Sequence, residues 1–289
     1  MSEKEIDSVT NVETTGHEWD GIKELDNPLP RWWLWVFYAT IVFSIGYCIY
    51  YPAIPLIEGA TEGVAGYSSR GELQAEMDEV EAGRSEMLEQ IRQTDVAEIQ
   101  ADPELARFAT AGGASAFKVY CSQCHGSGAQ GTAGYPNLND DDWLWGGSIE
   151  QIALTIRHGV RYEEDDDTRY SEMPAFGRDQ LLPREDVLAS AHYVRSLSGL
   201  DHDQGALEDG ARVYAENCAA CHGEDGLGNK ELGAPNLADA LWLYGDSQQE
   251  IVSQVNNPKH GVMPGWGDRL GDALVKQLAV YVHGLGGGE

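Results

Sequence analysis

The sequence predicts a mainly α chain: one N-terminal transmembrane helix, then two tandem helical domains that each hold a covalently bound group. Three observations predict it. Residues Trp32 to Tyr51 carry no charge and are almost all apolar. The C-terminal part of the chain, from about residue 112, is written twice. Each copy contains Cys-x-x-Cys-His, as Cys121, Cys124, His125 and as Cys218, Cys221, His222. At 289 residues the chain has room for two modest domains plus an anchor and a linker.

Charge narrows the classes of partner. The formal net charge is −29, from 48 acidic and 19 basic residues. That excludes nucleic acid as a partner, because phosphates need basic residues to neutralise them. It predicts a soluble, acidic exposed surface. Acid-rich and lysine-poor composition suits either a high-salt habitat or an acidic docking face for a basic partner. Stability that collapses at low salt marks the first, and binding that weakens steeply with salt marks the second.

The apolar run comes first in chain order. Its twenty residues, at ~1.5 Å each, span ~30 Å, the thickness of a bilayer core. Trp32, Trp33 and Trp35 crowd one end and Tyr47, Tyr50 and Tyr51 the other, as aromatic belts do at membrane interfaces. Pro28 and Pro30 precede the run, and Pro52 and Pro55 follow it; proline ends helices. A secretory signal has a short basic head and a small-residue cleavage site. Here the head is long and acidic, so the run reads as a retained anchor over 32–52 behind a tail over 1–31. Cys48, inside the run, is expected to be an inert buried thiol.

Residues 53–111 read as linker and spacer. Gly59 to Gly71 is rich in Gly, Ser and Ala. From Glu72 to Phe108, apolar stripes recur at helical spacing: Leu73, Met77 and Val80, then Met87, Leu88 and Ile91. Gly83 is expected to interrupt them. The helices lie on a partner, lie on the first domain, or form a solvated spacer.

Two copies of one unit follow, over 112–199 and 205–289. Gly113 and Gly210 stand the same distance before their first cysteine. Phe117 matches Tyr214, and Pro136-Asn137-Leu138 matches Pro235-Asn236-Leu237. Trp143 matches Trp242, Met173-Pro174 matches Met263-Pro264, and Tyr193-Val194 matches Tyr281-Val282.

The motifs carry the chemistry. Each cysteine can add to a vinyl group of haem, and the two-residue gap matches the vinyl spacing on a turn of helix. The following histidine then faces the iron. A lone Cys-x-x-Cys could be a redox or zinc motif, but two copies with His next in line, inside a repeat, specify two covalently attached haems c. The predicted units are therefore class I cytochrome c-like haem domains. His125 and His222 are the proximal ligands. Met173 and Met263, one per copy and each before Pro, are the candidate sixth ligands; a thioether opposite His raises the potential and closes the iron to small ligands. His158 and His260, which also recur, are the rivals. In small class I cytochromes c a proline carbonyl accepts the Nδ1–H of the proximal imidazole and fixes its orientation, and the Pro-Asn-Leu segments at Pro136 and Pro235 resemble that place. Trp143 and Trp242 are expected to line the haem pockets. Two closed irons argue against a dihaem peroxidase. A free-standing membrane-anchored dihaem carrier is the alternative to a role inside an enzyme complex.

The segment Gly16-His17-Glu18-Trp19-Asp20-Gly21-Ile22-Lys23-Glu24-Leu25-Asp26-Asn27-Pro28-Leu29-Pro30-Arg31-Trp32-Trp33 resembles the dihaem c-type cytochrome subunit of cbb3-type cytochrome c oxidases, as do Phe37-Tyr38-Ala39-Thr40 and Tyr51-Pro52-Ala53-Ile54-Pro55. The resemblance covers tail, anchor, spacer and both haem units in order. It implies a non-catalytic electron-transfer subunit of a proton-pumping oxidase. Electrons would come from a cytochrome c electron donor and pass through a monohaem cytochrome c subunit. Their destination would be the catalytic haem b-copper oxidase subunit, where oxygen is reduced. Some members of that family have a second N-terminal span, whereas this sequence shows one apolar run. The haem motifs set its orientation: haem is attached outside the bacterial inner membrane, so the N-terminus is expected to be cytoplasmic and the haem domains periplasmic. The tail is expected to touch the catalytic subunit.

Overall fold

The computed structural model describes residues 5–288; residues 1–4 of the expected tail and Glu289 lie outside it. The chain forms two compact units, Met1–Ala82 and Gly83–Glu289.

The first unit begins with a hairpin that the sequence reading passed over. β1 (Thr14–Trp19) pairs antiparallel with β2 (Ile22–Leu25), with Trp19 opposite Ile22. Asp20 and Gly21 turn the chain with φ of 50° and 85°, and Asp-Gly is the pair that a two-residue turn with both φ positive demands. That dipeptide was the available signal. α1 (Arg31–Tyr50) follows, 20 residues long. None of its residues is buried, and it is apolar all round, so it does not serve as a core helix here. Among the described residues it is the one helix long and apolar enough to cross a membrane. Cys48 is exposed on α1 rather than buried. A small hairpin of β3 (Pro55–Leu56) and β4 (Gly59–Ala60) comes next.

α2 (Ser69–Gln93) runs through Gly83 without a break. One glycine costs a helix only about 1 kcal/mol relative to alanine, which the other residues of this Glu-, Gln- and Ala-rich segment absorb. Its two stripes differ in fate. Leu73, Met77 and Val80 are exposed, whereas Ile91 is fully buried and Met87 and Leu88 pack beside it.

The second unit is helical. α3 (Val96–Ile99) and α4 (Pro103–Tyr120) come first. Asp102 caps α4 by accepting from the backbone N–H groups of Glu104 and Leu105, and Pro103 opens the helix where its missing N–H costs nothing. α5 (Ser122–His125) is the turn of the first motif, and α6 (Ile149–His158) follows behind a Ser148 cap. α7 (Arg184–Leu197), α8 (Leu207–Asn217) and α9 (Ala219–His222) lead into and through the second motif. α10 (Gln248–Asn256) starts with a reciprocal Ser247–Glu250 cap. α11 (Gly267–Leu270) and α12 (Asp272–His283) end the chain.

The packing does not follow the order of the repeats. Two contiguous haem domains would close α4 on α7 and α8 on α12. Instead α12 lies against α4, and α7 lies against α8. A Cβ on Gly113 of α4 would come within 2.2 Å of the Gln277 carbonyl and 2.7 Å of Tyr281 Cβ, both on α12. A Cβ on Gly210 of α8 would come within 2.3 Å of the Ala189 carbonyl and 2.8 Å of Tyr193 Cβ, both on α7. The ring pairs follow suit: Phe117 meets Tyr281 at 5.4 Å, and Tyr214 meets Tyr193 at 5.2 Å. The same small-residue crossing is built twice, each time from one half of each copy. The physical reason is loop closure. α7 and α8 are joined by residues 198–206 alone, and short connections put consecutive helices side by side. α4 is then left to the chemically equivalent α12.

Candidate functional site

Each motif forms a single helical turn. In the first, the Cys124 and His125 N–H groups donate to the Cys121 carbonyl at 3.1 and 3.0 Å; in the second, those of Cys221 and His222 donate to Cys218 at 3.1 and 2.9 Å. Both turns stop at a glycine of positive φ, Gly126 and Gly223. The loops that follow return to the histidines. Gly131 N–H donates to the His125 carbonyl and Gly228 N–H to the His222 carbonyl, each at 2.8 Å.

This return places the two predicted prolines. His125 Nδ1 lies 3.1 Å from the Pro136 carbonyl, and His222 Nδ1 lies 3.0 Å from the Pro235 carbonyl. A carbonyl can only accept, so Nδ1 carries the proton in both rings and the Nε2 lone pair is left for a metal. Burial pushes both imidazoles below their ordinary pKa, against the opposing pull of the proline carbonyls. They are therefore neutral and able to ligate near neutral pH.

Each histidine opens onto a mainly apolar cavity. The two are nearly equal, about 1290 and 1370 Å³ including their open mouths. The first is lined by Cys121, Cys124, His125, Trp143 and Met263. The second is lined by Cys218, Cys221, His222, Trp242 and Met173. Each methionine thus faces the motif of the other copy, as the exchanged helices require. Val160 holds the Met263 loop by a two-way backbone pairing, 2.9 and 3.0 Å.

The family described as "Cytochrome C oxidase, cbb3-type, subunit III" matches residues 108–194 and 205–282, and that described as "N-terminal domain of cytochrome oxidase-cbb3, FixP" matches 11–58. This chain belongs to the cbb3-type cytochrome c oxidase subunit III family. It is 57% identical to the cbb3-type cytochrome c oxidase subunit FixP of Sinorhizobium medicae, over 99% of this chain and 98% of that one. It is 54% identical to subunit CcoP of Cereibacter sphaeroides, over 96% and 95%. As a subunit III member it is a dihaem c-type cytochrome, an electron-transfer subunit and not a catalytic one.

The residues fit the c-type haem of subunit III. Thiols stand at one wall of each cavity, an imidazole with a committed Nδ1 beside them, and a thioether in the same lining. Burial pushes the Cys121 and Cys218 thiols up to about 11. A redox-active dithiol needs the opposite shift, whereas thioether formation with a vinyl group removes the ionisation altogether. Trp242 Nε1 is buried with no hydrogen-bond partner among the described residues and lies in the second cavity wall, where an acceptor on a bound group would satisfy it.

The rival histidines have other surroundings. The Met173 N–H donates to His260 Nε2 at 3.1 Å, which takes up that nitrogen's lone pair. His158, its Nδ1 3.0 Å from Asp165, lines neither cavity. The sequence reading missed the role of residues 161–172. They separate Val160 from Met173, while Met263 follows Val262 directly. That interruption of the repeat was the available signal, and the insert contains Arg161, which lines both cavities.

Proposed function

We propose that this chain takes electrons from a cytochrome c donor and hands them, through a monohaem membrane-anchored subunit, to the catalytic haem b–copper subunit of a cbb3-type oxidase. The match of the oxidase-specific N-terminal family over residues 11–58 supports membership of that complex over a free-standing carrier. In the same reading α1 crosses the bacterial inner membrane once, with the N-terminus cytoplasmic and the chain from residue 53 onward periplasmic, and the tail hairpin contacts the catalytic subunit.

The ligand sets are His125 with Met263, and His222 with Met173. One observation carries this assignment: each imidazole, its Nδ1 bound to a proline carbonyl, shares an apolar cavity with one methionine. A bound haem supplies a reversible one-electron iron couple. Cys121 and Cys124, and Cys218 and Cys221, would fix it to the chain. The histidines hold their orientation through Pro136 and Pro235. The methionines would exclude small ligands from the iron, and the apolar walls would keep water out; both would act to raise the potential. Leu144, Arg161, Leu243 and Tyr244 line both cavities, so a single partition of side chains stands between the two sites.

Gentle detergent purification from membranes tests the role. Co-purification with a copper-containing haem b subunit, and reduction of the intact complex by a cytochrome c donor, are expected. Recovery as a lone dihaem protein would overturn the complex. The far-red charge-transfer band of methionine-ligated ferric haem tests the ligands, and its absence from the oxidised chain would remove both methionines.

A further inference from the structure

We propose that Arg161 is a positioning residue shared by both haem sites: one guanidinium ties the two methionine loops together and places a fixed positive charge in the wall between the cavities. Its Nε–H donates to the Gly261 carbonyl at 2.8 Å, and its Nη1–H donates to the Ser171 carbonyl at 2.9 Å. Gly261 stands two residues before Met263, and Ser171 two residues before Met173. One side chain therefore holds the approach to both methionines at equivalent points.

The backbone is committed to this placement. Arg161 has a φ of 51°, a left-handed conformation that residues other than glycine adopt at an energetic cost and keep where surrounding contacts enforce it. Those contacts are present: its N–H donates to the Arg169 carbonyl at 2.8 Å, and the preceding Val160 is paired both ways with Met263. The charge is committed too. The guanidinium is half-buried, and burial pulls its pKa down while Tyr244 and Glu172 act against that pull. Among the described residues no carboxylate forms an ion pair with it. An arginine keeps its proton in any such setting. A permanent cation beside an iron couple favours the reduced state, and this one lines both cavities. The two potentials should therefore respond to it together.

The inference rests on the histidine–methionine ligand sets, which the far-red band of the unmodified chain tests by itself. The experiment uses the full-length chain carrying both haems, in detergent. Redox titration and the far-red band are compared for the unmodified protein, Arg161→Gln and Arg161→Lys. In Arg161→Gln both haem potentials should fall, and the band of both haems should weaken. In Arg161→Lys most of the potential should return, because the charge is kept. The band should stay weakened, because a single ammonium does not reproduce the two-pronged donation. A change confined to one haem overturns the proposal, as does an Arg161→Gln protein with unaltered potentials and band. If Arg161→Gln does not accumulate with both haems, Arg161→Lys decides alone: weakening of both bands supports the proposal, and weakening of one or neither overturns it.

Discussion

Around Cys121 the buried core draws on five helices, with Ile91 of α2, Ile99 of α3, Leu105 and Phe117 of α4, Ile152 of α6 and Leu278 of α12. Around Cys218 it draws on three, with Val187 and Val194 of α7, Tyr214 of α8 and Ile251 of α10, together with Phe176. The cavity walls differ as well. Trp143 of the first site donates its Nε1–H to the Gly287 carbonyl, whereas Trp242 of the second has no such partner among the described residues. Asp142 precedes Trp143 where Leu241 precedes Trp242, and each lines its own cavity. The Cys-x-x-Cys-His motif and the proline carbonyl at the histidine are the same in both, and each cavity is lined by one methionine. On the proposed ligand sets, two haems with one ligand chemistry would be given different surroundings, and axial ligands are only one of the levers on a haem potential; burial and hydrogen bonding are others.

The sharpest way to break the comparison is to remove one haem. With Cys121→Ser and Cys124→Ser leaving the second haem alone, Met173→Ala should abolish the remaining far-red band, and Met263→Ala should leave it. The reverse result would mean that ligands pair within each copy.

Core truncation comes next. Phe117 is fully buried between α4 and α12, and Phe117→Ala should cost about 3–5 kcal/mol of stability in urea unfolding. A smaller loss would show that the larger core of the first site can collapse around the gap.

The glycine crossings measure whether the two sites are equally tight. Gly113→Val and Gly210→Val each push side-chain atoms into a facing backbone carbonyl and tyrosine Cβ, and overpacking of this kind costs about 1–3 kcal/mol. The first should loosen α12 and perturb the Cys121 site. The second should loosen α7 and perturb the Cys218 site. Each is read by urea unfolding followed at the separate haem signals.

The smallest effect belongs to Asp142. Burial first, then the charges of Asp239 and Asp140, raise its carboxyl to about 6. Between the ordinary carboxylate range and about 6, the folded chain keeps a proton there that the unfolded chain has released. The stability this provides is full at low pH and is lost as pH rises through about 4 to 6. Asp142→Asn should remove that slope: the difference in thermal midpoint between the two proteins should change across this window and stay flat above it. No counterpart is expected from the second site, where Leu241 cannot titrate.

Much of this was legible in the residues. The uncharged Trp32–Tyr51 run announced α1, the cysteine spacing announced the motif turns, and Pro136 and Pro235 lie where a proximal histidine needs an acceptor. Met87, Leu88 and Ile91 announced a packed stripe, though nothing along the chain distinguished them from Leu73, Met77 and Val80, which stay exposed. Asp20-Gly21 announced a hairpin that went unread.

What the sequence by itself determined is everything that depends on spacing along the chain: how many haem motifs there are, which thiols and imidazoles are the candidates to hold a haem, which loops carry a thioether, and how long the apolar helix is. Those follow from the fixed rise and turn of a helix and from covalent reach. Which methionine shares a cavity with which motif was decided only by the tertiary structure. The two copies offer chemically equivalent partners, Gly113 and Gly210 on one side and Tyr281 and Tyr193 on the other, so local preference is silent between the two pairings. The nine-residue link from α7 to α8 makes one pairing the shorter to close, and it sends the last helix of the chain back to the first haem motif.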